Sequence, residues 1–276
     1  MRLLVVGGHG NFGRALCRIP GVSVIPVGRQ DWDRLDSFLD ADIDAIVHAA
    51  SDVLLPVQDH PAAVMESNVM TVARLLESVS RRLPRRLVFL SSCAVYGASA
   101  CTDEESTCGP LTVNGISKLL GERLVADYCA SRKIPFQIFR LFNMYGGKDR
   151  FSVISRIERA VTGSEALQLN NSGSAKRDFI HVDDAALAIT RLLSQPLRHE
   201  RINIGTGVAT QIGDLVDIAL KACPALKIEH RRAPEVDHSE AQVRRLHENV
   251  DIRFRDVRTY LQTQLEKHAA GNDKVQ

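Results

Sequence analysis

The chain has 276 residues, of which 45% are hydrophobic and 25% charged, proportions typical of a globular protein with a full-sized core. A net charge of +2, with Lys and Arg spread along the chain, excludes a strongly basic surface for nucleic acid or anionic membranes. No apolar run approaches the roughly 18–20 residues that a membrane span needs. We expect no signal peptide and a cytoplasmic protein. The six cysteines lack CxxC spacing, which favours reduced thiols over a disulfide framework or a metal site.

The first residues, MRLLVVGGHGNFGR, predict a strand, a glycine-rich turn and the start of a helix. The apolar run 3–6 is typical of a strand buried on both faces of a parallel sheet. Gly7, Gly10 and Gly13 follow at three-residue spacing. Glycines let the backbone approach a ligand closely, and the N–H groups that begin a helix attract negative charge. This order indicates a pyrophosphate site, although the glycine spacing alone also fits a plain strand-to-helix turn.

The end of the second predicted strand, Val22–Val27, bears on which dinucleotide would bind. An acid at this point hydrogen-bonds the ribose 2′-hydroxyl of NAD, whereas an arginine accommodates the 2′-phosphate of NADP. Here Gly28 and Arg29 follow the strand, so the sequence favours NADP. NAD stays open because Asp31 and Asp33 lie close behind, and Arg29 could also be a solvated loop residue.

Strands and helices are predicted to alternate along the rest of the chain. Strands are predicted at 43–48, 86–90, 134–141 and 202–207, and helices at 61–82, 112–131, 151–161, 185–193 and 212–222. This alternation predicts an α/β fold with a doubly wound parallel sheet and a ligand at the carboxyl ends of its strands. In the helix that begins near Thr112, we expect Ile116, Leu120 and Leu124 to form the buried face.

Small residues end the third predicted strand. Ala49 and Ala50 follow His48. Such residues suit a flat cofactor lying against the backbone, and they equally suit close packing between strand and helix.

Seven stretches, in order, resemble motifs of the extended short-chain dehydrogenase/reductase family, in particular its nucleotide-sugar epimerases, dehydratases and reductases. They are GGHGNFG, HAAS, SSCAVYG, NGISKLLGE, RLFNMYG, KRDFIHVDD and NIGTG. The resemblance covers nearly the whole chain and implies a Rossmann domain with a smaller C-terminal α/β substrate domain. It places the dinucleotide-binding domain at 1–145 plus about 180–204 and the substrate domain at about 146–179 plus 205–267. We expect residues 268–276 to be a frayed tail.

The resemblance also implies a set of cofactor-binding residues and an assembly. The family's GxxGxxG motif falls on Gly7, Gly10 and Gly13. The full set of implied cofactor contacts is Gly7, Gly10, Asn11, Phe12, Gly13, Arg29, Ala49, Ala50 and Lys118. Relatives commonly dimerise through the two long helices, here about 61–82 and 112–131, so we expect a homodimer.

The catalytic motif departs from the family pattern at one position. By resemblance, Ser92 is the catalytic Ser/Thr, and Lys118 is the lysine that follows a catalytic tyrosine by four residues. Asn114 occupies the position of that tyrosine. In the family the tyrosine exchanges a proton with the sugar as hydride passes to or from the nicotinamide. Asparagine can donate a hydrogen bond but cannot release a proton near neutral pH.

Three explanations of this departure stay open. Ser92, Cys93, Tyr96 or a water could relay the proton while Asn114 orients the substrate. The reaction could differ from a simple redox step. The protein could also bind a cofactor without catalysing anything.

A second departure concerns dehydration. Cys93 and Ala94 stand where the family's 4,6-dehydratases carry an Asp–Glu pair. Neither side chain can act as a carboxylic acid or base, so sugar 4,6-dehydration is not expected. A cysteine beside a strand end is also commonly a small packing residue.

The later motifs imply the substrate contacts. Asn143 and Arg177 match positions that lie near the nucleotide-sugar diphosphate in relatives, and a guanidinium binds a diphosphate through bidentate, charge-assisted bonds. An ion pair of Arg177 with Asp178, Asp183 or Asp184 is the alternative.

Four further residues complete the implied substrate set or its surroundings. Arg232 and Glu235 resemble the family's RxGD pair, which holds a diphosphate and a ribose, although the sequence here is RAPE. Ser92 and Tyr96 are also implied substrate contacts. We interpret His181 and the two aspartates after it, Asp183 and Asp184, as structural.

The sequence therefore predicts an NADP-preferring enzyme, with NAD left open, that acts on a nucleoside-diphosphate sugar. Keto-sugar reduction or epimerisation is favoured over dehydration. No nucleic acid, membrane or metal is expected as a partner. The alternative is a non-catalytic NADP-binding regulator or complex subunit of the same fold.

Overall fold

A computed structural model describes residues 1–39, 42–51, 60–99, 102–163 and 165–272, and the side chains as far as residue 269. Its central sheet has six strands in the order β2-β1-β3-β4-β5-β9. These strands are β1 (Arg2–Val6), β2 (Ser23–Val27), β3 (Ala45–His48), β4 (Leu87–Ser92), β5 (Phe136–Leu141) and β9 (Arg201–Ile204). Every neighbouring pair is parallel. The predicted doubly wound parallel sheet is confirmed.

Helices cover both faces of this sheet, and further helices lie in the C-terminal part of the chain. They are α1 (Asn11–Leu16), α2 (Leu35–Leu39), α3 (Pro61–Met65), α4 (Thr71–Val79), α5 (Val113–Arg132), α6 (Val153–Thr162), α7 (Val182–Leu193), α8 (Ile212–Ala222), α9 (Arg244–His247) and α10 (Val257–Asn272). None of the helices in the described part of the chain combines the length and apolar character that crossing a bilayer requires.

The unbroken apolar run of β1 reflects burial on both faces of the sheet. Leu3 and Val5 belong to one core cluster, which α1 and α7 cover, whereas Leu4 and Val6 belong to another, which α2, α4 and α5 cover. Successive side chains of a strand point to opposite faces, so each face of β1 needs its own apolar residues.

The remaining strands form two smaller sheets outside the central one. They are β6 (Asn143–Tyr145), β7 (Leu167–Asn170), β8 (Lys176–His181), β10 (Ala209–Gln211), β11 (Ile228–Arg231) and β12 (His238–Ser239). β8 lies between β10 and β12 and also pairs with β6, while β7 pairs with β11. α6, α8 and α10 pack around a third apolar cluster that includes Tyr145 and Leu261.

The predicted helix 61–82 ends at Val79 and is interrupted by a π-helical turn, Glu66–Met70, between α3 and α4. Such a turn inserts one extra residue into a helix and is common at functional sites. Here the turn lies near the middle of the predicted helix and contains the polar residues Ser67 and Asn68.

The predicted buried face of α5 is wrong. Ile116, Leu120 and Leu124 are 42%, 41% and 38% exposed. The buried face instead includes Gly115, Ser117, Lys118, Gly121, Glu122, Val125 and Cys129. At Gly121 the helix lies too close to β4 for any side chain, since a Cβ there would come within 2.5 Å of Phe89 Cζ.

Candidate active site

A cavity of about 360 Å³ lies at the carboxyl ends of β1, β2 and β3. Five predicted cofactor residues are in its wall: Gly7, Gly10, Arg29, Ala49 and Ala50. Ser67 and Thr71, at the π-helical turn, line its other side. The carboxyl edge of the sheet is where open α/β folds bind their ligands.

Two glycines of the first motif are required by close approaches of the backbone. Gly7 has φ +84°, and a Cβ there would lie 2.7 Å from Ala50 N. A Cβ on Gly13 would lie 2.2 Å from Gly8 O, so only glycine lets α1 pack on the preceding turn. Glycine at position 7 thus lets the cavity wall pass close to Ala50. Glycine at position 13 lets α1 pack on the turn before it.

The side chains of two predicted cofactor residues have other partners. Asn11 Nδ2 donates to Gly146 O at 2.9 Å, and Lys148 N donates to Asn11 Oδ1 at 2.7 Å. Phe12 is 5% exposed and belongs to the apolar core. Any cofactor contact from these two residues would therefore come from their backbone N–H groups, at the start of α1.

One of the two acids that left NAD open, Asp31, is engaged in the turn after β2. Asp31 Oδ2 accepts a hydrogen bond from Gly28 N at 2.8 Å, and Asp31 Oδ1 accepts one from Arg34 at 2.9 Å. The bond from Gly28, followed by the one from Arg34, lowers the pKa of Asp31. The carboxylate thus stabilises the turn, while Arg29 stands in the cavity wall.

Ser92 and the first turn of α5 meet at the end of β4. Ser92 Oγ accepts a hydrogen bond from Ala94 N at 3.1 Å. A Cβ on Gly115 would lie 2.5 Å from Ala94 O, so glycine lets the start of α5 contact the turn Cys93–Tyr96. This contact brings Asn114 next to the turn that follows Ser92.

Lys118 is buried against the sheet, one helical turn beyond Asn114. It is 6% exposed, and Nζ donates to Leu90 O at 2.9 Å. Nζ also lies 5.2 Å from the centroid of the Phe89 ring. Burial lowers the pKa of Lys118 to about 8, although Glu122 acts in the opposite direction.

Asn68, in the π-helical turn, was missed by the sequence analysis. Its side chain is 1% exposed, and Nδ2 lies 3.0 Å from Ser117 Oγ and 3.5 Å from Asn114 Oδ1. An asparagine between the apolar positions of an amphipathic helix was the available signal. Buried amides need hydrogen-bond partners, which here lie on α5.

Two proton-relay candidates are poorly suited to that task. Burial raises the pKa of Cys93, so its thiol stays neutral near pH 7. Tyr96 is 2% exposed, and its hydroxyl donates to Asn203 Oδ1 at 2.7 Å. Burial raises the pKa of Tyr96 far above its ordinary value. The Tyr96 hydroxyl thus already has a buried partner, and its substrate contact stays a prediction.

Arg177 and Glu235, both predicted substrate contacts, pair with each other. Arg177 Nη2 lies 3.2 Å from Glu235 Oε2, and Asn171 Nδ2 donates to Glu235 Oε1 at 2.9 Å. Asn143 Nδ2, also predicted to contact substrate, donates to Asp178 O at 2.9 Å. Arg232 is exposed and lines a neighbouring cavity of about 660 Å³ that also includes Asn171.

The alternative partners proposed for Arg177 are engaged elsewhere. Asp178 is fully buried and accepts hydrogen bonds from Thr206 and from Gly207 N. Asp183 pairs with Arg18 and Arg255, and Asp184 pairs with Arg255. His181 Nδ1 accepts from Asp183 N at 3.2 Å. His181, Asp183 and Asp184 thus lie where α7 contacts the turn after α1 and the segment before α10. These contacts are consistent with the structural role predicted for them.

Within the described residues, no group of three or more His, Cys, Asp or Glu side chains could hold a metal ion. The polar groups of the site are instead amides, a hydroxyl and an ammonium. Such groups donate hydrogen bonds to an oxygen of a substrate or to a phosphate.

The parallel sheet with a glycine-lined cavity at its carboxyl edge defines a dinucleotide-binding protein of the Rossmann class. Residues 3–205 match the model of the NAD dependent epimerase/dehydratase family, and the chain belongs to this family.

Individual relatives are similar over part of their length. The chain is 33% identical over 149 residues to the uncharacterized UDP-glucose epimerase YtcB of Bacillus subtilis, covering 53% of this chain and 46% of that protein. It is 30% identical over 185 residues to a putative UDP-glucose 4-epimerase of Methanocaldococcus jannaschii, covering 64% and 60%. The chain thus spans about half to three fifths of these curated relatives. The structure of MoeE5 in complex with UDP-glucuronic acid and NAD is 25% identical, with a TM-score of 0.84, covering 98% of this chain and 100% of that one.

Proposed function

We propose that this protein is an NAD(P)-dependent oxidoreductase or epimerase that acts on a nucleoside-diphosphate sugar. The observation that carries the proposal is the π-helical turn Glu66–Met70, which connects the two parts of the site. Its Ser67, with Thr71 just beyond it, lines the glycine-walled cavity, while Asn68 contacts Asn114. A cofactor in the cavity and a sugar beside Asn114 would therefore lie on adjacent sides of one turn.

The substrate class is supported by the relatives and by the charges across the site. Two relatives are described as UDP-glucose epimerases, and a third protein of the same fold was solved with UDP-glucuronic acid. In this chain Arg177 is 14% exposed at the site and would bind a diphosphate. Lys118 and Ser92 provide the cationic and hydroxyl groups.

A bound nicotinamide would supply or accept the hydride. Ser92 Oγ already accepts from Ala94 N, which leaves its proton available for a hydrogen bond to a sugar oxygen. Lys118 places a positive charge beneath the site. Cys93 and Tyr96 are poor relays for the reasons given above, so a proton that reaches the sugar oxygen would come through Ser92 or a water.

Reduction or epimerisation is favoured over dehydration. A 4,6-dehydration needs a carboxylic acid and base at positions that Cys93 and Ala94 occupy here. A neutral, half-buried thiol is a weak acid for a leaving hydroxyl.

NADP is the proposed cofactor. Arg29 lies in the cavity wall, and the nearest carboxylate, Asp31, is bonded to Gly28 N and Arg34. A guanidinium at this position suits a 2′-phosphate, while an acid that already caps a turn is less available for a ribose hydroxyl.

The test is an activity assay with the purified protein. NADPH would be incubated with a panel of 4-keto nucleotide sugars. UDP-sugars without a keto group would be incubated separately with NADP⁺ or NAD⁺ and followed by NMR for epimerisation. We expect loss of NADPH absorbance or a new epimer with at least one sugar, and loss of that activity in the Ser92→Ala variant.

The alternative function is a non-catalytic NADP-binding subunit, which the exchange of tyrosine for Asn114 favours. Tight NADPH binding with no turnover on any sugar would support it and overturn the enzyme proposal.

A further inference from the structure

We propose that Asn68 is a positioning residue that holds the Asn114 carboxamide with its Nδ2 group turned to the substrate. Asn114 then serves as a fixed hydrogen-bond donor to the reacting sugar oxygen and not as a proton donor. This inference rests on the proposed function.

The direction of the hydrogen bonds around Asn68 is determined by its neighbours. Ser67 Oγ donates to Asn68 Oδ1 at 3.2 Å, and the Nδ2 end of the amide faces α5. There Nδ2 lies 3.0 Å from Ser117 Oγ. The Ser117 hydroxyl donates its own proton to Asn114 O at 2.8 Å, so its oxygen is the acceptor for Asn68.

The same Nδ2 group of Asn68 determines the orientation of Asn114. It lies 3.5 Å from Asn114 Oδ1, a long contact that is favourable only with an acceptor. If the Asn114 amide were reversed, two donor groups would face each other. Asn114 Nδ2 consequently points away from Asn68 and has no hydrogen-bond partner among the residues that the structure describes.

The position of Asn114 makes this donor available to a ligand. Asn114 is half-buried in the first turn of α5, which contacts the turn after Ser92 through Gly115 and Ala94. Ser67 and Thr71, on either side of Asn68, line the cofactor cavity. The donor therefore lies where the sugar oxygen and the cofactor would meet.

A carboxamide donor changes how the reaction is completed. When hydride adds to the sugar carbonyl carbon, the π electron pair of the C–O bond moves to the oxygen. The Asn114 N–H would stabilise that negative charge, and a proton from water would then complete the hydroxyl. Removing one such fixed donor typically lowers kcat by about 10²–10³-fold.

The test uses Asn68→Asp, a substitution that keeps the shape and replaces the donor with a carboxylate oxygen. We expect kcat to fall about 10²-fold in Asn68→Asp and in Asn114→Ala. The double variant should fall no further, because both changes remove the same oriented donor. The dissociation constant for NADPH should stay close to that of wild type. The melting temperature should fall because Asn68 is 1% exposed and a carboxylate is costly to bury, so kcat is measured well below the unfolding transition. Asn249→Asp, the same change at an amide that bonds only Arg245 O in the described structure, is the matched control.

The pH dependence of Asn68→Asp distinguishes positioning from a structural role. Once the introduced carboxyl takes up a proton, it can again donate to Asn114 Oδ1, so part of kcat should return as pH falls in Asn68→Asp. No such return is expected in the double variant, which lacks Asn114 Oδ1, whereas relief of the buried charge alone would act in both. Losses that multiply in the double variant, or a fall in kcat that pH does not relieve, would overturn the inference.

A second readout does not require turnover. In neutron structures of wild type and Asn68→Asp, which distinguish the amide N–D group from the oxygen, the Asn114 carboxamide should have different orientations, because its Oδ1 would face a carboxylate in the variant. The same orientation in both would overturn the inference. If wild type is inactive but the Asn114 carboxamide reorients in Asn68→Asp as expected, only the proposed function is contradicted.

Discussion

Arg177 Nη2 lies 3.2 Å from Glu235 Oε2, so a carboxylate of the protein holds the guanidinium that we propose for the sugar diphosphate. The side chains of Arg177 and Glu235 are 14% and 15% exposed. Any diphosphate that binds Arg177 must compete with this ion pair. The pair thus opposes substrate binding while it keeps the guanidinium ordered.

We predict that Glu235→Gln lowers KM for the nucleotide sugar about threefold to tenfold with little change in kcat. Glutamine keeps a carbonyl oxygen for Asn171 Nδ2 and removes only the competing charge. Steady-state kinetics over a range of sugar concentrations measures the change. Glu229→Gln, which removes an exposed carboxylate that is also bonded by an amide, is the control. A raised KM in Glu235→Gln would show that Glu235 itself contacts substrate.

The sequence predicted those parts of the fold whose signals are local. The glycine turn after β1 and the strands themselves follow from apolar runs and turn residues that are contiguous in the chain. The buried face of α5 was predicted wrongly because apolar spacing identified Ile116, Leu120 and Leu124, while the helix packs on the sheet through Gly121 and other small or polar residues. Close packing selects for size, which hydrophobicity does not reveal.

The site was predicted where motifs carry it and missed where it depends on contacts between distant elements. Asn68 and Asn114 are 46 residues apart and meet only because α5 packs on the π-helical turn. The Arg177–Glu235 pair likewise joins residues 58 apart. Neither contact can be read from periodicity. Asn68 was therefore not identified, and the pairing of Arg177 with Glu235 was not predicted, although motifs had identified Asn114, Arg177 and Glu235 individually.

Arg29 provides the test of cofactor preference. We predict that Arg29→Ala raises the dissociation constant for NADPH about 10–100-fold, the loss of a charge-assisted bond to the 2′-phosphate. The dissociation constant for NADH should change less than about twofold, since NADH lacks that phosphate. Fluorescence titration with each nucleotide measures both values.

The control for this prediction is Arg198→Ala, which removes the same charge from an exposed residue outside the short helix Arg29–Arg34. Arg198 is not among the residues that line the cavity. Equal weakening of NADPH and NADH by Arg29→Ala would contradict a contact with the 2′-phosphate.

The lowered pKa of Lys118 predicts that the free energies of unfolding of wild type and of a Lys118 variant differ by an amount that depends on pH. Burial lowers its folded pKa to about 8 from the ordinary 10.5. Between these values the unfolded chain binds a proton that the folded chain has released, so wild type gains stability as pH rises. We predict that Lys118→Met is stabilised relative to wild type at pH 7, and that this advantage falls by about 3 kcal/mol by the time pH passes 10.5.

Urea unfolding of both proteins across this pH range gives the difference, and shared pH effects cancel in it. Lys221→Met, at an exposed lysine of α8, is the control for loss of a lysine. A difference that does not depend on pH would mean that Lys118 keeps its proton in the folded state throughout.

The exposed face of α5 predicts how two copies associate. Ile116, Leu120 and Leu124 recur every four residues and form one apolar stripe on the helix. A contiguous apolar surface of this kind is typical of an interface, and the resemblance to the family implied a homodimer through this helix. We therefore predict a dimer in solution at micromolar concentration.

Leu120→Glu would place a charge from each copy in the interface and convert the dimer to a monomer, as measured by size-exclusion chromatography with light scattering. Leu197→Glu, at a leucine that is 37% exposed outside α5, should leave the dimer intact. A monomeric wild type, or a Leu120→Glu variant that stays dimeric, would show that this stripe is not the interface.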